Sequence, residues 1–422
     1  DEVDVVIFTN EEEPNIDTMF TYVSGTTSGL FENCLAAAWP DGMVDIITNP
    51  LEETSARGSR ARVTVFRDKD EKARTVKEMF GKVKRIGVNG KGLSYNHFME
   101  LRTWLPRARF IDVGPALVKA KLVKDKEEVE RLREACSIVS KVAEEIPDLI
   151  TSGMTEYEAA AEINYRMMRY GATAPSFTTI ASFGANSAEP HHEPDKTRLR
   201  KNDTALFDYG GLVRRYGSDI TRTFFVGRAT SVQKRMYATV LEAQMAALAE
   251  IRPGMNGKDI DAVARRIIDS SEFKGLFIHS LGHSIGLSVH DGGRLGPNID
   301  LILEEGMVLT VEPGIYLPGK FGVRIEDDAV ILQCALHTDE AARYVLLDQQ
   351  RVACVGITPT PAAACHQSND IATFELYAVA HWQDLALVGG TGVEDDFSWT
   401  PCLASSDPIR WEFRVLHPGA EF

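Results

Sequence analysis

The chain of 422 residues carries few of the features that would tie it to nucleic acid, a membrane or a disulfide framework. Its formal net charge is −15, and no run of Lys and Arg is long enough to form a basic tail, so no nucleic-acid partner is expected. No apolar run approaches the length of a membrane span. The sequence opens Asp1-Glu2-Val3-Asp4 rather than with a basic and then apolar leader, which predicts a cytoplasmic protein. Six cysteines, at 34, 136, 334, 354, 365 and 402, include no CxxC pair and are sparse for this length, so reduced thiols are expected. Cys34 and Cys136 sit among apolar neighbours and read as small packing side chains. GxxxxGK[ST] is missing, so the glycines of YGG and GGRLG form no phosphate loop, and no Ser-centred nucleophile motif occurs.

What is present predicts two or three domains with a sizeable core, since 44% of the residues are hydrophobic. Short apolar runs near 3–8, 63–66, 86–88 and 110–113 read as strands with helical segments between them, an α/β pattern. This first domain is expected to span 1–122. Asp125 and Glu128 then have the spacing of a capping box, and Val129, Leu132, Cys136, Val139, Ala143 and Ile146 give the following helix one apolar face. A second domain is expected over 123–335. The remaining stretch, 336–422, has no lysine, four of the cysteines just before or within it, three tryptophans and no clear period, and is left unassigned.

Within the second domain, residues 204–226 place two acids in an otherwise apolar hairpin. Ala205-Leu206-Phe207 and the 223–226 run read as strands, with Gly210-Gly211 and Arg214-Arg215 in the turn, which brings Asp208 near Asp219. Two buried like charges repel and lose hydration, so either a cation lies between them or the segment is a solvated loop. An internal echo surrounds this hairpin: ITSGMTEYEAAAEI at 150–163 recurs as IRPGMNGKDIDAVA at 251–264. Each copy predicts a helix, a Gly turn and a second helix begun by a capping pair, Thr155 with Glu158 and Asn256 with Asp259. Strands are expected after each copy, near 177–183 and 206–226, then near 277–278 and 307–330. A duplicated unit of this kind would put a site between its halves.

The second copy supplies further polar groups. HSLGHSIGLSVHD carries His279, His283 and His290, and Glu312 and Glu326 lie in the apolar contexts VEPGIY and GVRIEDDAVIL, read as strands. Four acids and a histidine cluster in segments that otherwise read as buried are best explained by one shared cation site. In SAEPHHEP, His191 and His192 are adjacent on an extended segment, so only one of them can face that site.

FDYG, SDITRT, HSLGHSIGLSVH, VEPGIY and VRIEDD resemble the five ligand blocks of the pita-bread metallopeptidases, a group that includes Xaa-Pro dipeptidase (prolidase), aminopeptidase P and methionine aminopeptidase. The first 120 residues resemble, more loosely, the creatinase-type N-terminal domain. The fold implied is an α/β N-terminal domain followed by a duplicated ααβ catalytic domain. The resemblance implies that Asp208 chelates one metal, that Asp219 and Glu326 bridge two, and that His283 and Glu312 complete the second. It selects His191 over His192, makes His191 and His290 the groups that stabilise the intermediate and move its proton, and counts Glu312 with them. Ser284 and Asp291 depart from the commoner family residues without removing a ligand.

Four carboxylates and one imidazole form a hard donor set that favours Mn, Co or Fe over Zn. Two such ions can activate a bridging water and polarise a peptide carbonyl. His279 and Arg324 are expected on the side that receives the residue after the scissile bond, where a guanidinium could recognise a dipeptide's carboxylate. The expected protein is therefore an Xaa-Pro dipeptidase acting on small peptides, as a homodimer like many relatives of this type. Aminopeptidase P activity on longer peptides, a creatinase-like hydrolase and a catalytically dead binding module are the alternatives.

Overall fold

The computed structural model describes residues 2–12, 16–332 and 343–346. The cysteines at 334, 354, 365 and 402, and the 336–422 stretch apart from 343–346, lie outside them. Among the described residues no helix is long and apolar enough to cross a membrane.

The first 122 residues build a six-stranded mixed sheet from β1 (Val5–Thr9), β2 (Leu35–Ala38), β3 (Val44–Thr48), β4 (Arg62–Val65), β5 (Arg85–Val88) and β6 (Arg109–Asp112), in the order β4-β3-β2-β1-β5-β6. Five helices accompany it: α1 (Thr18–Ser24), α2 (Glu53–Arg57), α3 (Lys69–Phe80), α4 (Tyr95–Trp104) and α5 (Gly114–Leu122). Four of the strands match the predicted runs. The hairpin β2–β3 was not foreseen, because three of the four residues of β2 are alanines, which carry little strand preference. Its turn closes at Gly42, at φ 83°.

α5 leads directly into the second domain. The capping box forms as expected, Asp125 accepting from Glu128 N while the Glu128 carboxylate accepts from Asp125 N, and α6 (Lys126–Leu149) follows with Leu132, Cys136, Val139, Ala143 and Ile146 buried. The junction is also held by ions. Lys121 and Lys124 reach Asp291 at 2.7 and 3.2 Å, with the Asp291 side chain only 2% exposed. That carboxylate belongs to the residue after His290, so the end of the first domain is tied to a loop at the site.

The second domain is two copies of one unit. In the first, α6 ends at a turn through Gly153 (φ 93°) into α7 (Glu156–Arg169). The strands β7 (Ile180–Phe183), β8 (Thr204–Tyr209) and β11 (Ile220–Phe225) follow, ordered β11-β8-β7, with the small hairpin β9 (Leu212–Val213) and β10 (Tyr216–Gly217) between the last two. In the second, α8 (Ser231–Glu250) turns through Gly254 (φ 85°) into α9 (Gly257–Asp269). Then come β12 (Gly282–His283), β13 (Arg294–Leu295), β14 (Val308–Val311), β15 (Gly314–Leu317), β16 (Phe321–Arg324) and β17 (Asp327–Leu332), and β18 (Arg343–Leu346) pairs with β17. The glycine turns match in hydrogen bonding: Gly153 N donates to Leu199 O and Leu199 N to Met154 O, while Gly254 N donates to Leu303 O and Leu303 N to Met255 O, all at 2.8 Å.

The copies differ at two predicted points. Thr155 and Glu158 make a reciprocal box, but Asn256 caps Lys258 N and Asp259 returns no side-chain bond, its carboxylate being one methylene shorter. No strand forms at Phe277-Ile278. There the Arg265 guanidinium takes the carbonyls of Phe277 and His279, each at 2.8 Å, which removes acceptors that a strand partner would use.

Candidate metal centre

The hairpin that organises the site is β8–β11, paired antiparallel with Thr221 opposite Asp208 and Ile220 opposite Tyr209. Arg214 and Arg215 both have positive φ in its distal turn, 46° and 71°. Asp208 points from β8, and Asp219 immediately precedes β11; they are 9% and 4% exposed. The backbone N–H of Asp219 donates to Asp328 Oδ2 at 3.0 Å, which fixes the entry to β11.

The other half contributes from three segments. His283 lies on β12, its N–H bonded to Thr310 Oγ1 at 3.0 Å. Glu312 stands just beyond β14 rather than inside a strand, because Pro313 has no N–H to continue a ladder. Its N–H donates to Leu281 O, and its Oε1 accepts from Thr310 Oγ1. Glu326 sits between β16 and β17 in an isolated antiparallel bridge to Thr221, so the two halves meet where the carboxylates meet. The strand breaks at Ile325, yet the period-two spacing of Arg324 and Glu326 still brings both side chains to one side, where they meet at the Thr221 hydroxyl.

All five side chains converge. His283 Nε2 lies 3.6 Å from Asp219 Oδ2 and 3.3 Å from Glu312 Oε1, and Asp219, His283 and Glu326 offer donor atoms within 4.8 Å of one another. Buried Asp208 Oδ1, Asp219 Oδ1 and Glu326 Oε1 have no hydrogen-bond partner among the described residues. Burial, followed by Glu326 and Asp208, pushes the Asp219 carboxyl well above the carboxylate range. Burial, followed by Glu312 and Asp208, does the same to Glu326, and Glu312 is pushed up to about 8, chiefly by burial. Carboxylates so arranged are stable as anions only beside cations, and their donor chemistry fits divalent ions.

Around these groups lies a shell of which the sequence singles out only Arg324 and Cys136, and neither of them with these partners. Thr221 Oγ1 donates to Glu326 Oε2 at 2.5 Å and accepts from Arg324 Nε at 2.9 Å. Arg324, 3% exposed, also donates to Asp208 Oδ2 at 2.5 Å, to the Tyr316 hydroxyl at 2.9 Å and to Pro190 O at 3.4 Å. Four of its donations are thus made inside the protein. Arg222 spans Glu326 O and Asp327 Oδ1, both at 2.6 Å, and Gln244 holds Asp327 Oδ2. Cys136 is buried as expected but is more than packing, since its thiol donates to Asp328 Oδ2. The period-two spacing of Thr221 with Asp219 and of Thr223 with Thr221 was the available signal. Tyr316, in the quoted VEPGIY block, was visible as a residue but not as a partner.

The predicted histidines divide by environment. His279 places its ring nitrogens 2.8 Å from Ser280 O and from the Tyr316 hydroxyl, and burial, helped by Arg324 and His191, lowers it to about 4. His283 is lowered to about 3 by burial and by His290, so it is a neutral donor. His290 packs edge-on against His283 with ring centroids 4.4 Å apart, and is itself exposed. His191 is exposed and near enough to depress both His279 and His290 electrostatically. His192 instead turns to Glu156, with Nε2 2.8 Å from Oε2.

The model of metallopeptidase family M24 matches residues 130–333, and that of the creatinase/prolidase N-terminal domain matches residues 1–135. The chain is 37% identical over 281 residues to the Xaa-Pro dipeptidase of Pyrococcus furiosus, covering 67% of this chain and 79% of that protein. The structure of prolidase from Pyrococcus furiosus superposes with a TM-score of 0.72 at 32% identity, over 83% of this chain and 97% of that one. The X-Pro aminopeptidase from Thermotoga maritima gives 0.74 at 31% identity over the same shares. With two family models joined end to end and these relatives covered over most of their length, the chain belongs to metallopeptidase family M24 and carries a creatinase/prolidase N-terminal domain.

Proposed function

We propose that the protein is a metal-dependent Xaa-Pro dipeptidase that holds two divalent ions. The convergence of Asp208, Asp219, His283, Glu312 and Glu326, three of them with a buried carboxylate oxygen left without a partner, is the observation that carries this reading. In it Asp208, Asp219, His283, Glu312 and Glu326 would hold the ions, with Asp219 and Glu326 available to both. The oxygen-rich set suits Mn, Co or Fe better than Zn. When bound, the ions supply Lewis acidity toward the scissile carbonyl and toward water.

The chain's own groups do the rest. Arg324 and Thr221 hold Asp208 and Glu326 in place from behind, leaving Asp208 Oδ1 and Glu326 Oε1 to face inward. Glu312 shares its carboxylate between the His283 side of the site and Thr310, and acts as a proton acceptor while water attacks. Exposed His191 and His290 lie at the mouth of the site, placed to stabilise the oxyanion and to pass a proton to the leaving proline nitrogen. His279 and Arg324, joined through Tyr316, form the wall that receives the residue after the scissile bond, and the fixed guanidinium charge there favours a substrate carboxylate. A cytoplasmic homodimer completes the reading; buried Cys34 and Cys136, neither in a disulfide, fit the cytoplasmic part of it.

Two measurements test it. Purified protein stripped of metal should lose hydrolysis of an Xaa-Pro dipeptide and regain it with about two equivalents of Mn; full activity without metal overturns the reading. Wild type should prefer the dipeptide over its C-terminal amide and over an Xaa-Pro-Xaa tripeptide, and Arg324→Lys should narrow that preference. Faster turnover of the tripeptide would instead assign aminopeptidase P activity.

A further inference from the structure

We propose that Glu156 is a positioning residue for the reaction: from the first turn of α7 it fixes, through His192 and the backbone of Asp195, the segment that presents His191 to the metal centre. Glu156 is fully buried, yet it is no metal-site residue and lies in the helix pair rather than the sheet. Its Oε1 accepts from Phe183 N at 2.7 Å and from Asn186 Nδ2 at 3.0 Å. Its Oε2 lies 2.8 Å from His192 Nε2 and accepts from Asp195 N at 3.0 Å. One carboxylate therefore gathers four groups spread over residues 183–195. The carboxylate is held there by donation from Phe183 N, Asn186 Nδ2 and Asp195 N and by the favourable dipole of the α7 N-terminus, with the Asp195 carboxylate close by.

On its other side the same segment is tied to the second half of the domain. Ser187 Oγ accepts from Gly322 N at 2.9 Å, and Pro190 O accepts from Arg324 Nη1. His191 is thus a single exposed residue between two anchored neighbours, Pro190 and His192. The segment is a turn rather than the extended run the sequence suggests, with His192 N donating to Glu189 O at 3.1 Å; held at both flanks and closed by that bond, its backbone has little freedom to swing the His191 side chain. The second half repeats the device: Asp261, 1% exposed on α9, accepts from Leu281 N at 3.1 Å and pairs with Arg265, which holds the carbonyls of Phe277 and His279. Glu156, His192 and Asp195 also have the spacing of a metal-binding trio, but the Glu156 oxygens are taken by protein donors and Asp195 Oδ1 accepts from Thr197 N, so the trio is closed on itself.

This inference rests on the proton-transfer role proposed for His191, and a double-mutant cycle separates the two. Glu156→Gln keeps the volume but loses the charge that holds His192. In the Mn-loaded enzyme, kcat for an Xaa-Pro dipeptide should fall about tenfold to a hundredfold with KM and bound Mn unchanged. In a His191→Ala background the same substitution should produce no further loss, since there is no longer a ring to misplace. Losses that multiply in the double mutant, loss of Mn from the single mutant, or an unchanged kcat would each overturn the proposal. If Glu156→Gln does not fold, His192→Gln, at the partly exposed end of the pair, is read in the same cycle by the same outcomes. His191→Ala with full kcat would instead remove the role assigned to His191, and with it the reason for the clamp.

Discussion

The two halves of the catalytic domain share a plan and differ in how they reach the site. The first delivers its carboxylates from one hairpin, with Asp208 on β8 and Asp219 just before β11, so its proposed ligands are set by a single strand register. The second delivers His283, Glu312 and Glu326 from three separate segments, two of them beyond strand ends. A hairpin register is local and short in sequence, whereas three separated segments agree only after the whole half is packed. Stitching between halves supplies that agreement: Thr221 bridges to Glu326, Arg324 reaches back to Asp208, and Arg222 spans Glu326 O and Asp327. The symmetric scaffold thus places an asymmetric ligand set, and the inter-half bonds carry the precision.

The largest effect should come from removing the carboxylate that each half contributes to both proposed ions. Asp219→Ala or Glu326→Ala should lower kcat/KM for an Xaa-Pro dipeptide by at least about a thousandfold, several kcal/mol of lost stabilisation, while the far-UV spectrum stays native. Retained activity in either variant would break the idea of a shared centre. Next is the stitch itself. Thr221→Val preserves shape but removes the hydroxyl between Glu326 and Arg324, and metal affinity measured by chelator competition should weaken about tenfold to a hundredfold.

A smaller effect separates the halves by pH in metal-free protein. Because burial lowers His279 to about 4, the unfolded chain binds this proton more readily than the folded one at any pH between that value and about 6.5. The contribution is complete above about 6.5 and is lost as pH falls toward 4, reaching about 2 kcal/mol by pH 5. Urea titrations at pH 7 and pH 5 should show a steeper loss for wild type than for His279→Asn. The smallest effect would make the halves more alike. Asp259→Glu should complete the missing capping box of α9 and raise stability by about 0.5 kcal/mol without altering turnover, read as a shift of the thermal midpoint.

Much of this arrangement is legible in residues that violate their surroundings. An aspartate in ALFDYG and a glutamate in VRIEDD are out of place in apolar strands, and the echo of IxxGM at 150 and 251 announces the duplication. The Gly turns, the first capping box and the helix face of α6 follow from local rules of the kind sequence carries well. What stays hidden depends on tertiary contact. Thr221 and Tyr316 look like ordinary strand residues until the halves meet, and Glu156 looks like a first-turn acid until residues 183–195 fold over it. The missing strand at Phe277 has the same origin, since Arg265 claims its carbonyl from twelve residues away.

The double-lysine contact on Asp291 bears on whether the catalytic half can be handled as a separate part. A fragment beginning at 126 would discard both ammonium groups that pair with this carboxylate, together with the Val118 and Leu122 side chains that pack against its loop. The same carboxyl is covalently next to His290, so the strain would emerge at the mouth of the site rather than at the cut end. Any chimera that exchanges the first 122 residues would keep Lys124 but would support the loop that carries His290 fully only if its donor supplies a cation at position 121.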